Sequence, residues 1–130
     1  LQEAYSVMPD FPPRYVRRDS VEGEGTLVAD GTEQVILDVN RPNPFRGVLY
    51  LDVNNLAGID IIDLTEYVQT SAAAALRKFT VTRFTGQQEI PMMTMIDKAI
   101  GYRHRLTLKQ VQGTYRSFPW QYILEELVNA

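Results

Sequence analysis

The sequence predicts an all-β domain, an antiparallel two-sheet sandwich with a jelly roll among its possible topologies, preceded by an extended N-terminal arm. Three observations carry this expectation. Beyond Gly25 the chain breaks into about eight short runs rich in β-branched and aromatic residues, each closed by Gly, Asn, Asp or Pro. Several runs alternate apolar and polar residues with the period of a strand, which assigns one face to a core and the other to water. The first 25 residues lack that period, and Pro9, Pro12 and Pro13 remove backbone donors from them. The chain therefore divides into an arm, residues 1–25, and a sandwich domain, residues 26–130.

The arm is too apolar for a solvated tail, since Tyr5, Val7, Met8, Phe11, Tyr15 and Val16 punctuate it. These anchors either fold back on their own domain or lie on a neighbour. Arg14, Arg17 and Arg18 stand beside Tyr15, and Glu3, Asp10 and Asp19 balance them, so residues 1–19 carry no net side-chain charge. Fork-like pairing with an acidic protein surface fits this balance better than binding to a nucleic-acid backbone.

The domain opens with Thr26–Ala29, which ends at the turn dipeptide Asp30-Gly31. Val35–Val39 follows and is closed by residues 40–44, whose two prolines exclude helix. From Gly47 to Asn54, Leu49, Leu51 and Val53 alternate with Val48, Tyr50 and Asp52. The next segment admits two readings. Leu64, Tyr67, Val68, Ala75, Leu76 and Phe79 approximate a helical stripe that Asp63 could cap, and four consecutive alanines favour helix. The β-branched Ile59, Ile61 and Ile62 and the alternation of Lys78–Thr85 favour a hairpin of Ile59–Thr70 with Leu76–Thr85, the preferred reading. Glu89–Ile96, containing Pro91, suits an edge strand. The segment after Gly101 is strongly amphipathic, with Tyr102, His104, Leu106 and Leu108 opposite Arg103, Arg105, Thr107 and Lys109. Tyr115–Leu127 supplies the last strand, with Pro119 limiting its ladder and a helical turn over 123–129 as the rival.

At 130 residues the chain can bury roughly two thirds of its unfolded surface in one core. A formal charge of −3 offers no global basic field, so no nucleic-acid partner is expected. No apolar run reaches the length of a membrane span, and the N-terminus lacks the plan of a signal peptide, so no membrane partner is expected. The absence of cysteine from this sequence removes disulfides, thiolate nucleophiles and cysteine metal sites.

The residues give no positive indication of catalysis, a metal or a cofactor. His104 is the only histidine, and on an apolar face it reads as a hydrogen-bonded core or interface residue. None of Ser6, Ser20, Ser71 or Ser117 lies in a Gly-x-Ser-x-Gly elbow. Gly23-Glu24-Gly25 lacks the Lys-Ser/Thr ending of a phosphate loop. Asp30 and Glu33, Asp60 and Asp63, and Glu125 and Glu126 read as solvated turn or surface charges, and no calcium-loop pattern occurs. Trp120, Tyr115 and Tyr122 could form an aromatic platform for carbohydrate or protein, an alternative to a core role for Trp120 and Phe118.

Gly31-Thr32-Glu33-Gln34 and the stretch Gln112-Gly113-Thr114-Tyr115-Arg116-Ser117-Phe118-Pro119-Trp120 resemble small β-rich proteins of viral and microbial genomes over residues 26–122. In plan, a β-sandwich with an arm resembles the capsid decoration or cement proteins of tailed phages. That resemblance implies a structural role in a virion, homo-oligomerisation, contact with a major capsid protein, and no catalytic residues. The arm residues expected to bind a partner are Tyr5, Phe11, Arg14, Tyr15, Arg17 and Arg18.

Overall fold

The computed structural model describes residues 15–42, 45–96 and 102–129. They form eight strands, β1 Tyr15–Val28, β2 Gln34–Asn40, β3 Phe45–Asp52, β4 Ile61–Gln69, β5 Arg77–Thr85, β6 Met92–Ile96, β7 Arg103–Gln112 and β8 Ser117–Asn129. Every strand pair is antiparallel, in two four-stranded sheets of order β1-β8-β3-β6 and β2-β7-β4-β5. The pairs β1·β8, β2·β7, β3·β6 and β4·β5 are the nested rungs of one long ribbon, and β3·β8 and β4·β7 knit the folded ribbon into two sheets. This is the jelly roll.

The alternation in the sequence settles which side of each strand is buried. Leu49 and Leu51 of β3, Ile62 and Leu64 of β4, Leu106 and Leu108 of β7, and Phe118, Tyr122 and Leu124 of β8 are buried between the sheets. Each fully buried large side chain contributes about 1.5–3 kcal/mol of transfer free energy, so this layer is the main source of stability. Val53 and Leu56, in the turns that follow β3, close one end of the layer.

The two rival helical readings fall away in favour of the preferred strands, and one local expectation comes out differently. The helical reading of residues 64–76 gives way to β4, a short turn at Ser71–Ala74 and β5. The alanines bridge two nine-residue strands whose pairing is already fixed, and tertiary pairing overrides their helix propensity. Residues 123–129 continue β8 and make no helical turn. Residues 15–25, expected within the arm, run in β1 and pair with β8 from Tyr15↔Asn129 to Val28↔Ser117. Gly23 and Gly25 read as breakers in sequence. In the fold they make room for the Trp120 indole, which lies 3.0–3.7 Å from where their Cβ atoms would be, and a bulge sits between Val21 and Gly23.

Pro119 is accommodated by position. It falls just beyond the last β3 rung, Leu51 with Trp120, where β8 has a ladder neighbour only in β1.

Candidate functional site

A polar chain crosses the apolar layer. The Thr80 hydroxyl (β5) donates to Glu66 Oε1 (β4) at 2.8 Å, Glu66 Oε2 lies 2.8 Å from His104 Nε2 (β7), and His104 Nδ1 lies 2.7 Å from the Tyr122 hydroxyl (β8). Glu66, His104 and Tyr122 are 2%, 1% and 0% exposed. The chain therefore joins one sheet to the other inside the core, and both imidazole nitrogens are occupied. Gly47 of β3 completes it, because a Cβ there would overlap the Tyr122 hydroxyl. In this setting His104 is a fastener and no substrate can reach it. The expectation of a hydrogen-bonded core histidine holds, while its two partners were not foreseen. A legible signal existed, since Glu66 shares the inward parity of Ile62 and Leu64.

The opposite face of the β2-β7-β4-β5 sheet is an ion-pair ladder. Arg103 grips Asp38 through two bonds of 2.8 and 2.7 Å, and Arg105 Nε donates to the same carboxylate at 3.0 Å. The Arg103 bond is the leading cause that holds the Asp38 carboxyl below its usual range, and burial opposes it. Arg83 clasps Asp63 at 2.8 and 2.9 Å and lowers it likewise. Glu33 accepts from Thr107 at 2.6 Å and from Tyr67 at 2.5 Å, which lowers the carboxyl and raises the phenol. The two arginines of the cationic stripe of β7 thus meet Asp38 of β2 in the same sheet, in contacts worth about 0–1 kcal/mol each at such exposure.

Asp60 departs from the surface role expected of it, being 2% exposed. Its carboxylate accepts from Arg116 Nε at 2.7 Å and from the backbone N–H groups of Ala57 and Thr114 at 3.0 Å. Burial, the largest single influence, raises its pKa, and the Arg116 bond with the two N–H groups outweighs it, so the net direction is downward. Gly113 has φ +94° beside it, and a side chain there would strike the Asp60 carboxylate. The β7–β8 turn is thus pinned to the start of β4.

The outward face of the β1-β8-β3-β6 sheet is different in kind. Register places Val21, Ile123 and Val48 in one row and Glu24, Gln121, Tyr50 and Thr94 in the next; beyond the last β3–β8 rung Thr26 pairs with Pro119 and Asp52 with Met92. Val21, Tyr50 and Met92 are 55%, 37% and 51% exposed. Tyr50, Asp52, Met92, Pro119, Gln121 and Ile123 line a groove of about 500 Å³ that Trp120 also borders. That volume is within the range of ligand and peptide sites, and its walls are mainly apolar.

Of the predicted partner-binding residues, Arg18 is exposed on β1 opposite Glu126. Tyr15 and Arg17 lie in β1 by backbone, and Tyr5, Phe11 and Arg14 lie outside the described residues. The aromatic platform is taken apart by the fold. Tyr122 is wholly buried, Tyr115 is exposed beside Gly31, and Trp120 leans across the β1 glycines against the core.

No protein-family model matches the chain, and no curated protein matches it by sequence. Solved structures share its fold. A Bacillus endospore appendage, from a family of disulfide-linked pili, aligns with a TM-score of 0.57 at 9% identity over 90% of this chain and 91% of the other. A chain of infectious bursal disease virus, Gx strain, aligns with a TM-score of 0.53 at 12% identity over 91% of this chain and 32% of the viral one. The present sequence spans about a third of that viral chain, and without cysteine it has no counterpart to the disulfide link of the pili. At these identities the likeness is one of fold alone.

Proposed function

We propose that this protein is a structural subunit, a capsid decoration or cement protein that acts in a virion as a homo-oligomer and contacts a major capsid protein. The observation that carries the reading is the outward face of the β1-β8-β3-β6 sheet, where apolar side chains stand exposed in register and the strand leading to the apolar arm forms one edge. Exposed apolar faces of this kind are typical of surfaces that meet other proteins. The fold agrees with the reading, because a jelly roll presents two broad faces and its loops at the ends, and the Glu66, His104 and Tyr122 cluster is sealed in the core. Tyr5, Phe11, Arg14, Tyr15, Arg17 and Arg18 are the arm contacts of this proposal.

Electron microscopy of the full chain, alone and mixed with capsids that lack decoration, tests it. Ordered self-assemblies or saturable decoration are the expected result, and a full chain with Tyr5→Ser, Phe11→Ser and Arg14→Ser should lose them while keeping its β-sheet spectrum. A monodisperse monomer that decorates nothing contradicts the proposal.

A further inference from the structure

The outer-sheet groove has one occupant that the chain itself can supply. We infer that it receives the proline-rich arm segment of a second copy, residues 9–14, with Arg14 of that copy on Asp52. The inference rests on the reading above that the arm contacts a neighbour, and it names the seat.

Shape and chemistry match. Three of the six residues in Pro9-Asp10-Phe11-Pro12-Pro13-Arg14 are prolines, whose φ is preset, so docking the segment in a polyproline-type conformation would carry a low entropic cost. Such segments dock in shallow grooves lined by aromatic and apolar side chains. Here Tyr50, Ile123, Pro119 and Met92 supply that lining. The charges also match. Asp52 lines the groove, Glu24 borders it through a 3.2 Å bond from Gln121, and among the described residues no basic side chain lines it. An arginine at the end of the docked segment meets carboxylate at Asp52, and Phe11, three residues earlier, falls about 9 Å back along the groove at the polyproline rise, over the Tyr50 and Gln121 row.

Reach decides which copy donates the arm. Tyr15 pairs with Asn129 at one end of β8, whereas Asp52 stands beside Pro119, ten residue steps further along that strand. Ten steps of a strand cover about 33 Å. Arg14 is one residue from Tyr15, and a single residue spans at most about 3.6 Å of backbone. Phe11, four residues out, reaches about 14 Å. Neither can occupy the groove of its own chain, so the donor is a neighbour. Open, head-to-tail exchange of this kind propagates or closes a ring depending on the rotation between copies.

The absence of native cysteine makes the test clean. Full chains carrying Asp10→Cys and Gln121→Cys, distinguished by mass labels, are mixed and oxidised, and the mixed disulfide is measured by mass spectrometry. The control mixture pairs Asp10→Cys with Lys78→Cys on β5 of the other sheet. The docked arm raises local concentration, so the 10–121 product should exceed the 10–78 product by about tenfold or more. Adding Asp52→Asn, which keeps an acceptor for the Asn54 N–H, should reduce it severalfold. Equal yields of the two products, with oligomers still present by sedimentation, overturn the groove assignment and leave the structural role standing. Absence of any oligomer overturns both. A glycan that changes Trp120 emission and leaves the 10–121 yield at the control level would give the groove a different occupant and also overturn the inference.

Discussion

Glu66→Ala should be among the most damaging single substitutions in this domain. The carboxylate accepts from Thr80 at 2.8 Å and meets His104 Nε2 at 2.8 Å, with 2% exposure. Truncation withdraws that partner from a histidine that is itself 1% exposed, and water cannot replace it without opening the sandwich. Removing one member of a buried polar or ionic pair costs about 3–5 kcal/mol. Against a total stability of roughly 5–15 kcal/mol, this consumes a large fraction. At roughly 3–5 °C per kcal/mol for a chain of this size, the melting temperature should fall by about 10–20 °C. Glu66→Gln keeps the volume and an oxygen for Thr80, so it should cost about 1–2 kcal/mol. Converting the whole bridge to apolar groups, Glu66→Leu with His104→Leu and Tyr122→Phe, should recover much of the loss, because the cost lies in stranding one polar partner. Urea unfolding followed by circular dichroism gives each value. A Glu66→Ala protein within about 1 kcal/mol of the parent would show instead that the core relaxes around the imidazole at little cost.

Gly47→Ala should lower stability by about 1–3 kcal/mol or more, because the new methyl overlaps the Tyr122 hydroxyl and drives it off His104; thermal unfolding of the variant checks this. Arg116→Ala should cost about 3–5 kcal/mol by leaving Asp60 buried without its cation, and Asp60→Asn markedly less, since the amide oxygen can keep the N–H groups of Ala57 and Thr114. Equal losses in the two variants by urea titration would show that the charge is not the cause. Glu33, Asp38, Asp60 and Asp63 are all held below their ordinary carboxyl values in the fold. Their contribution is therefore complete above the unfolded carboxyl range of about 4 and is lost as pH falls through the lowered folded values. Unfolding free energy from these groups should be level between about pH 5 and 7 and fall below about pH 4; a rise in stability on acidification below that point would contradict the assignment.

The β architecture was legible because alternation survives wherever one face of a strand is buried. Leu49 and Leu51 against Tyr50 and Asp52 are an instance, and their two faces appear in the structure as read. What was not legible depends on residues far apart in sequence. His104 declares its burial by its apolar neighbours, yet its partners stand 38 and 18 residues away across two strand crossings. Asp60 looks like a loop carboxylate until the β7–β8 turn brings Arg116 onto it. The glycines of β1 misled for a related reason. Gly23 and Gly25 signal a break only when nothing fills the space their side chains vacate, and here the Trp120 ring fills it. The groove drew no notice because each lining residue is unremarkable alone, and only register aligns Tyr50, Met92 and Ile123.

In the proposed role the domain joins copies of itself through its arm and outer sheet. Sedimentation of the full chain across a hundredfold range of concentration, about the span over which a weak self-contact fills, tests it most directly. A mass that rises with concentration well beyond 14.8 kDa, and that returns toward the monomer when Tyr5, Phe11 and Arg14 are replaced by serine, is the expected result. A constant monomer mass throughout that range would contradict it.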